Sequence, residues 1–171
     1  VSLLRGDVPI VKICKDETEE ILCLSTWFED MIKLGYEQNE IAVFSRRSAT
    51  LSNIAEPALR QVSGLSRRDL QDRRPPSGDG VAFGTMHRAK GLEFKAVAVI
   101  GCGKDDIPDI DTLANACDDA DKKEIIEIER NLLHVALTRP RERLLVTSSD
   151  NLCSFLPPDL ANLPPLQYVV E

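Results

Sequence analysis

The sequence predicts an α/β protein in which a parallel β-sheet is flanked by helices. Short segments rich in apolar and β-branched residues, typical of buried strands, occur at 8–14, 41–44, 81–86, 96–100 and 144–147. Stretches with apolar residues at helical spacing alternate with these strands, and such alternation favours parallel pairing. The chain has 171 residues, of which 43% are hydrophobic and 29% charged, so it fits one domain with a sizeable core.

The first predicted helix follows the first strand. Asp16, with Glu19 three residues later, is typical of a helix N-cap. Apolar residues then recur at helical spacing over 21–32, and Gly35 provides a C-terminal stop.

The second apolar stripe, over 51–62, contains Pro57, which removes a backbone hydrogen bond from a helix. Either this helix begins near Glu56 or it is kinked at the proline. Residues 63–80 are polar and include Pro75-Pro76, which predicts a loop.

The second half of the chain begins with an Asp-rich stretch over 101–121, which predicts a loop. A helix is predicted over 124–138, because its apolar residues fall on one face. Residues 148–171 are expected to form a peripheral tail, with an edge strand at 166–170.

The net charge of −7 conceals an uneven distribution of basic and acidic residues along the chain. Residues 46–95 contain ten Lys or Arg against five Asp or Glu. A basic middle between acidic flanks suits a protein that touches a phosphate chain on one face. The alternative is chance clustering on a solvated surface.

The cysteines point to a reducing compartment. Their number, five, is odd, no pair has C-x-x-C spacing, and only two histidines are present. We therefore expect reduced thiols, no metal site and a cytoplasmic protein. No apolar run is long enough to cross a bilayer, and no signal peptide opens the chain. Because the first residue is Val, we expect a fragment of a longer protein.

Three polar stretches carry candidate chemistry. The first, T-M-H-R-A-K-G-L-E-F at 85–94, follows a predicted core strand, so its polar groups should emerge at the carboxyl end of that strand. Gly91 would allow close approach of a ligand, and Glu93 could accept hydrogen bonds from sugar hydroxyls.

The second stretch, E-R-N-L-L-H-V-A-L-T-R-P-R at 129–141, ends its helix near Arg139, because Pro140 disfavours helical geometry in the residue before it. Arg139 should then project freely, and a guanidinium suits a transferring phosphoryl group. The third stretch, 41–47, delivers Arg46 at the end of a strand. If either arginine is considered without the rest of its stretch, the alternative to a phosphate contact is a surface salt bridge.

Together these stretches resemble motifs IV (near 41–47), V (85–94) and VI (129–141) of the UvrD/Rep-type superfamily 1 DNA helicases. The resemblance implies a single RecA-like C-terminal motor domain over 1–171. The short interval between motifs IV and V resembles the compact members without the large inserted domain.

The resemblance also implies roles in ATP hydrolysis. Arg46 and Arg139 would both contact the ATP γ-phosphate, Arg139 as an arginine finger, while Gly91 and Glu93 would lie near the ribose. ATP with Mg²⁺ would be shared with an N-terminal RecA-like domain of the same parent protein, which would supply the Mg²⁺ ligands.

The remaining motif residues are implied to contact nucleic acid. Thr85 and His87 would lie on the single-stranded DNA track, and Arg88 and Lys90 could assist with phosphates. No membrane partner is expected.

Some residues depart from the motifs. Pro140 replaces the usual Ala, Asn131 replaces a frequent Arg, and His134 stands where Tyr is usual and is interpreted as a packing residue. One alternative function is therefore an inactive helicase-like interaction or regulatory module. Another is a motor that moves on RNA or on no nucleic acid.

The stretch at 101–105, G-C-G-K-D, does not complete the G-x-x-x-x-G-K-[ST] phosphate loop, and no Walker A motif occurs in the sequence. We therefore predict that the purified 171-residue chain does not turn over ATP, as measured by phosphate release. Residual activity that persists unchanged in Arg139→Ala would indicate a contaminant. Robust turnover that depends on Arg139 would contradict the half-motor interpretation.

Overall fold

The computed structural model describes residues 8–70 and 78–157, and these form one six-stranded sheet. The strands are β1 (Ile10–Ile13), β2 (Ile41–Ser45), β3 (Arg67–Asp69), β4 (Val81–Thr85), β5 (Phe94–Ile100) and β6 (Pro140–Ser148). Their order is β1-β6-β5-β2-β4-β3, and all neighbouring strands are parallel. The predicted α/β fold, a RecA-like parallel sheet flanked by helices, is confirmed.

The first helix, α1 (Glu17–Lys33), begins and ends where the sequence predicts. The Asp16 carboxylate accepts a hydrogen bond from the Glu19 backbone N–H at 2.8 Å and caps the amino terminus. At the other end, Gly35 has a φ of +89°, the left-handed conformation in which helices commonly terminate.

The second helical stretch is irregular rather than late in starting. It consists of α2 (Ser48–Thr50), a π-helical turn (Leu51–Ala55) and α3 (Glu56–Arg60) in direct succession. The Glu56 N–H donates to the Leu51 carbonyl, one residue further back than in an α-helix. This wider turn lies directly before Pro57, which has no N–H of its own, so the proline is accommodated by a local irregularity.

Three elements differ from the sequence prediction. β3 lies inside the predicted loop 63–80, and α4 (Ile110–Ala114) lies inside the predicted loop 101–121. α5 (Asp119–Leu137) begins five residues early, because the Asp118 carboxylate caps the N–H groups of its first turn, where apolar periodicity is absent.

β6 is also longer than predicted and begins at Pro140. A proline is tolerated at the first position of a strand, where the missing N–H removes no interior hydrogen bond of the ladder.

The helices cover both faces of the sheet. α1 and α3 pack with Ile41 and Val43 of β2, whereas α5 packs on the opposite face with Ala42 and Phe44. All five residues of β2 are buried. Such two-sided burial is characteristic of the central strands of a parallel sheet.

The first part of the predicted tail belongs to the core. Cys153 and Leu156 are buried, and the Cys153 N–H donates to the Cys102 carbonyl at 2.9 Å. The expectation of a peripheral tail from residue 148 is therefore wrong for this part, because its apolar side chains complete the layer beneath α5. Residues 158–171, with the strand predicted at 166–170, lie outside the described residues.

Glu20 of α1 is a fully buried carboxyl group that links this helix to the ends of β5 and β6. Its Oε1 accepts hydrogen bonds from the Gly101 N–H at 3.0 Å and from the Thr147 hydroxyl at 2.6 Å. Burial raises the pKa of Glu20, and these hydrogen bonds offset the increase only in part.

We predict that Glu20→Gln stabilises the protein, and more so at pH 8 than at pH 5. A raised folded-state pKa makes the native state bind the proton more tightly, so stability falls as pH rises above the unfolded-state pKa. Glutamine keeps an acceptor oxygen and does not titrate. Urea unfolding at both pH values measures the effect, with the exposed Glu29→Gln on the same helix as control. Equal destabilisation at both pH values would contradict the prediction.

Candidate functional site

The candidate residues divide between two edges of the sheet. The carboxyl edge is where β2, β4 and β5 end, and there Ser45 is level with Thr85 and with Ile100. The amino edge is where β5 and β6 begin, with Phe94 level with Pro140. Arg46 and Thr85 lie at the carboxyl edge, whereas Glu93 and Arg139 lie at the amino edge.

Motif V therefore spans both edges and does not remain at the carboxyl end of β4 as expected. Thr85 ends β4, and His87 follows in a short 3₁₀ turn (Met86–Arg88). Because β5 is parallel to β4, the chain must return across the sheet before Glu93 leads into β5.

At the carboxyl edge, Arg46 forms a bidentate ion pair with Glu129 of α5. Arg46 Nε lies 2.8 Å from Glu129 Oε2, and Nη2 lies 2.7 Å from Oε1. The Glu129 side chain is 2% exposed and that of Arg46 14%, so the pair is largely shielded from solvent. The two hydrogen bonds fix the plane of the guanidinium.

A second ion pair adjoins the first. The Asp109 N–H donates to Glu129 Oε2 at 3.1 Å, and the Asp109 carboxylate accepts from Arg47 Nε at 2.8 Å. Burial acts to raise the pKa of Asp109, but hydrogen bonds from Thr112 and Arg47 outweigh it and hold the value at about 2. The ion pair between Arg47 and Asp109 thus stabilises the loop that faces Glu129.

His87 lies close to the Arg46–Glu129 pair. Packing of part of its ring against the protein lowers the pKa of His87, the positive charge of Arg46 lowers it further, and Glu129 acts in the opposite direction. His87 and Lys90 are exposed, whereas Arg88 is half-buried and donates through Nη1 to the Leu70 carbonyl. The structure thus brings Arg46 together with the predicted DNA-track residue His87.

At the amino edge, Gly91 and Glu93 precede β5. Gly91 has a φ of +78°, and a Cβ at this position would meet no atom within 4 Å. Glycine is favoured there by backbone conformation, and the space beside it is open. Glu93 Oε2 accepts hydrogen bonds from Arg141 at 2.9 and 2.6 Å, which lower the pKa of Glu93.

Arg139 does not project freely as expected. Its Nε donates to the Val135 carbonyl at 3.0 Å, and its Nη1 donates to the Leu92 carbonyl at 3.1 Å. The last carbonyls of a helix lack intrahelical partners and favour a cation, so they attract this guanidinium. The bond to Leu92 nevertheless brings Arg139 beside the Gly91–Glu93 segment.

The structure does not bring Arg46 and Arg139 together. The six residue steps along β5, from Phe94 to Ile100, separate the two edges by roughly 20 Å. Along α5, Glu129 and Arg139 are ten residues, or about 15 Å, apart. In this arrangement Arg46 pairs with Glu129, and Arg139 donates to backbone carbonyls. That both arginines contact one γ-phosphate stays a prediction.

A polar cleft of about 510 Å³ opens at the amino edge. Glu93 and Arg141 line one part of it, and Arg68, Lys95 and Glu40 line another. Its volume is within the range of small-ligand sites. Oppositely charged groups therefore surround the space next to Glu93.

Ion pairs neutralise much of the basic middle segment. Arg46, Arg47 and Lys95 pair with Glu129, Asp109 and Glu40, all of which lie in the acidic flanks. The excess of cations in 46–95 therefore does not form one uninterrupted basic face, contrary to the simplest expectation from the charge pattern.

Sequence reasoning missed Glu129 as the partner of Arg46. A usable signal was present, because Glu129 lies four residues from both Ile125 and Leu133, on the apolar stripe of its helix. A charged residue on such a stripe requires a buried partner. Among residues 8–70 and 78–157, no cluster of His, Cys, Asp or Glu could hold a metal ion, and no helix could span a membrane.

The model of one protein family, the UvrD-like helicase C-terminal domain, matches residues 11–151. The ATP-dependent DNA helicase UvrD2 of Mycobacterium tuberculosis (strain H37Rv) is 37% identical over 94 residues, 53% of this chain and 13% of that protein. The ATP-dependent DNA helicase Rep of Buchnera aphidicola subsp. Schizaphis graminum is 28% identical over 163 residues, 86% of this chain and 22% of that protein. This chain thus spans about a fifth or less of these relatives.

Two solved structures share the fold. The C-terminal domain of a possible DNA helicase from Lactobacillus plantarum WCFS1 has a TM-score of 0.62 at 19% identity, covering 96% of this chain and 86% of that one. The Sulfolobus solfataricus SWI2/SNF2 ATPase core, solved with dsDNA, has a TM-score of 0.55 at 14% identity, covering 89% of this chain and 32% of that one.

We predict that the pKa of His87 is below the ordinary value of about 6.5 and rises in Arg46→Gln. Removing the positive charge of Arg46 leaves the negative charge of Glu129 to favour the protonated ring. NMR titration of the two histidine rings measures this. His134, which is exposed near the end of α5 rather than packed as expected, is the internal control. An unchanged His87 titration would contradict the placement of Arg46.

Proposed function

We propose, because this chain belongs to the family of UvrD-like helicase C-terminal domains, that it is the second motor domain of an ATP-dependent DNA helicase or translocase. In this proposal the amino edge and Arg46 contact the nucleotide, and the other motif residues of the carboxyl edge contact single-stranded DNA. The observation that carries the proposal is the division of the motif residues between two edges joined by α5.

The amino edge has the features that a nucleotide contact requires. Gly91 leaves open space beside the chain, and Glu93 offers a carboxylate for sugar hydroxyls at the rim of the polar cleft. No phosphate-binding loop is present in this sequence, so ATP with Mg²⁺ would be held jointly with an N-terminal RecA-like domain of the parent protein. That domain would hold the metal.

Arg139 is the proposed arginine finger. Its hydrogen bonds to Val135 and Leu92 keep the guanidinium at the end of α5, next to the segment that carries Glu93. To reach a phosphoryl group it would exchange these neutral acceptors for an anionic one, which forms stronger hydrogen bonds. Closure of the two motor domains on ATP would make that exchange, and hydrolysis would reverse it.

The carboxyl edge is the proposed DNA side. Arg46 lies beside His87 at this edge, and its proposed contact remains the ATP γ-phosphate. To reach it, Arg46 would exchange Glu129 for the phosphoryl group when the two motor domains close on ATP. On the same side, Thr85, Arg88 and Lys90 would contact the sugar-phosphate backbone of the DNA.

The two edges would be coupled by α5. This helix contacts Arg46 through Glu129 and ends two residues before Arg139, so movement of one end would displace the other. A motor that alternates its grip on DNA with the state of its nucleotide requires such a connection. Relatives that carry the name ATP-dependent DNA helicase support this proposal.

We predict that Arg139→Ala, in the full-length parent protein, lowers ATP turnover by about 10³-fold and changes ATP affinity much less. A finger acts mainly in the transition state, and Arg139→Lys should not restore the rate because an ammonium lacks the planar fork. Arg46→Ala should also lower turnover, because it removes a second cation from the γ-phosphate. DNA-stimulated phosphate release, titrated against ATP concentration, measures both turnover and ATP affinity.

The matched control for both substitutions is Arg130→Ala, which removes an exposed arginine of α5 that pairs with Glu127. It should leave both measurements close to those of the parent. If Arg139→Ala folds normally and hydrolyses ATP at the parental rate, Arg139 is not the finger. The alternative of an inactive helicase-like module would then be favoured.

A further inference from the structure

Arg141 is a charged residue of β6 to which the proposed motor function assigns no role. The side chains of Arg141 and its partner Glu93 are 65% and 54% exposed. An ion pair this exposed adds little to stability, because solvent screens both charges. The pair nevertheless lies at the polar cleft of the amino edge, on the residue proposed to meet the ribose of ATP. A contribution to ligand binding therefore explains the pair better than a contribution to the fold.

The start of the sheet places Arg141, rather than Arg139, next to Glu93. Phe94 of β5 is level with Pro140 of β6, so the residue before Phe94 adjoins the residue after Pro140. Arg139, on the other side of the proline, donates to backbone carbonyls. The fixed φ of Pro140 and the restriction it places on the preceding residue hold the backbone between the two arginines. The two neighbouring cations thus have separate partners.

The two hydrogen bonds from Arg141 end on the same oxygen of Glu93. Nε donates to Oε2 at 2.9 Å, and Nη2 donates to it at 2.6 Å. The other oxygen, Oε1, accepts no hydrogen bond from residues 8–70 and 78–157. A carboxylate oxygen without a partner keeps its lone pairs for a hydroxyl donor. Arg141 therefore restrains the carboxylate and leaves one acceptor oxygen open to a ligand.

Arg141 also keeps Glu93 ionised. The hydrogen bonds and the positive charge of Arg141 lower the pKa of Glu93, and the charge of Arg139 lowers it further. An ionised carboxylate accepts stronger hydrogen bonds than a neutral group does, but its charge repels the phosphates of ATP. A guanidinium bound to the same carboxylate offsets that repulsion, so Glu93 can accept from a sugar hydroxyl without opposing the nucleotide.

We propose that Arg141 is a positioning residue that orients Glu93 towards the ribose of ATP and thereby sets the preference for ATP over its deoxy analogues. This inference rests on the proposed contact between Glu93 and the ribose. Preorganisation lowers the entropic cost of immobilising a long side chain on binding. A site built to hydrogen-bond a hydroxyl group discriminates against an analogue that lacks it. Arg141 would act through Glu93 rather than by touching the sugar.

The test measures KM and kcat of DNA-stimulated hydrolysis by the full-length parent protein, with ATP, 2′-deoxy-ATP and 3′-deoxy-ATP as substrates. The parent is expected to prefer ATP over at least one analogue by about tenfold in kcat/KM, as for a hydrogen bond to a charged group. Arg141→Ala should reduce that preference by about fivefold, the upper range for an exposed ion pair. The loss should appear as a higher KM for ATP, with little change for the analogue.

Loss of positive charge alone would raise KM equally for all three nucleotides, because all three carry the same phosphates. That result for Arg141→Ala would overturn the positioning role. Arg130→Ala is the matched control, because it removes the same charge from an exposed position on α5. It should leave the preference for ATP within about twofold of the parent.

The double variant Glu93→Gln/Arg141→Ala tests whether Arg141 acts through Glu93. If it does, the double variant prefers ATP no less than Glu93→Gln alone. If the two losses add, the positioning role is overturned. If the parent does not distinguish ATP from either analogue, or if Glu93→Gln leaves the preference unchanged, the proposed ribose contact fails, and this inference fails with it.

A conservative variant, Arg141→Lys, separates charge from geometry. Lysine keeps the positive charge beside Glu93 but lacks the planar group that directs two donors to one oxygen. The positioning role predicts that Arg141→Lys loses most of the preference lost by Arg141→Ala. Parental preference in Arg141→Lys would overturn the inference, because charge alone would then suffice. A fall in kcat of Arg141→Ala with all three nucleotides would also overturn it, because the released Glu93 would then be restraining Arg139 instead.

Discussion

The central strands of this domain are buried on both faces, so polar chemistry is confined to the ends of the strands. Every residue of β2 is buried, and most of β4 and β5 is as well. A charged side chain within these strands would lose its hydration without a partner. The motif residues therefore collect at two opposite edges, roughly 20 Å apart along β5, and this separation divides the functions proposed for them.

The helix α5 is the element that spans the separation. Its first part is capped by Asp118, its middle part carries Glu129 to the carboxyl edge, and its end leads directly to Arg139. Burying an ion pair such as Arg46–Glu129 gains little stability over apolar packing, but losing one partner costs on the order of 3–5 kcal/mol.

Ion pairing also accounts for the acidic net charge of a domain proposed to bind DNA. Acidic residues in the flanks neutralise arginines of the basic middle, as in the Asp109–Arg47 and Glu129–Arg46 pairs. Binding would depend on a few donors rather than on a broad positive surface. Such a domain would rely on its partner domain for much of the phosphate contact, which is consistent with half of a motor.

The sequence by itself determined most of the elements and the family resemblance. The signals that predicted them are local in the chain. They are the apolar periodicity, the Asp16 cap, and the strings T-x-H-x-x-K-G-L-E-F and E-R-x-L-L-x-V-A-L-T-R. Local signals did not reveal β3, which is a polar strand of three residues held by pairing with β4, or the early start of α5. They also left open how the chain accommodates Pro57, which depends on a π-helical turn.

Only the tertiary structure decided which side chains meet. Arg46 and Glu129 are 83 residues apart, and they are neighbours because β2 ends at the edge over which α5 passes. Arg139 and Leu92 meet because β5 and β6 start at the same edge. Strand order and direction set these contacts, and both result from packing the whole chain rather than from any local pattern. For that reason Arg46 could be recognised as a motif residue from the sequence, but its partner could not.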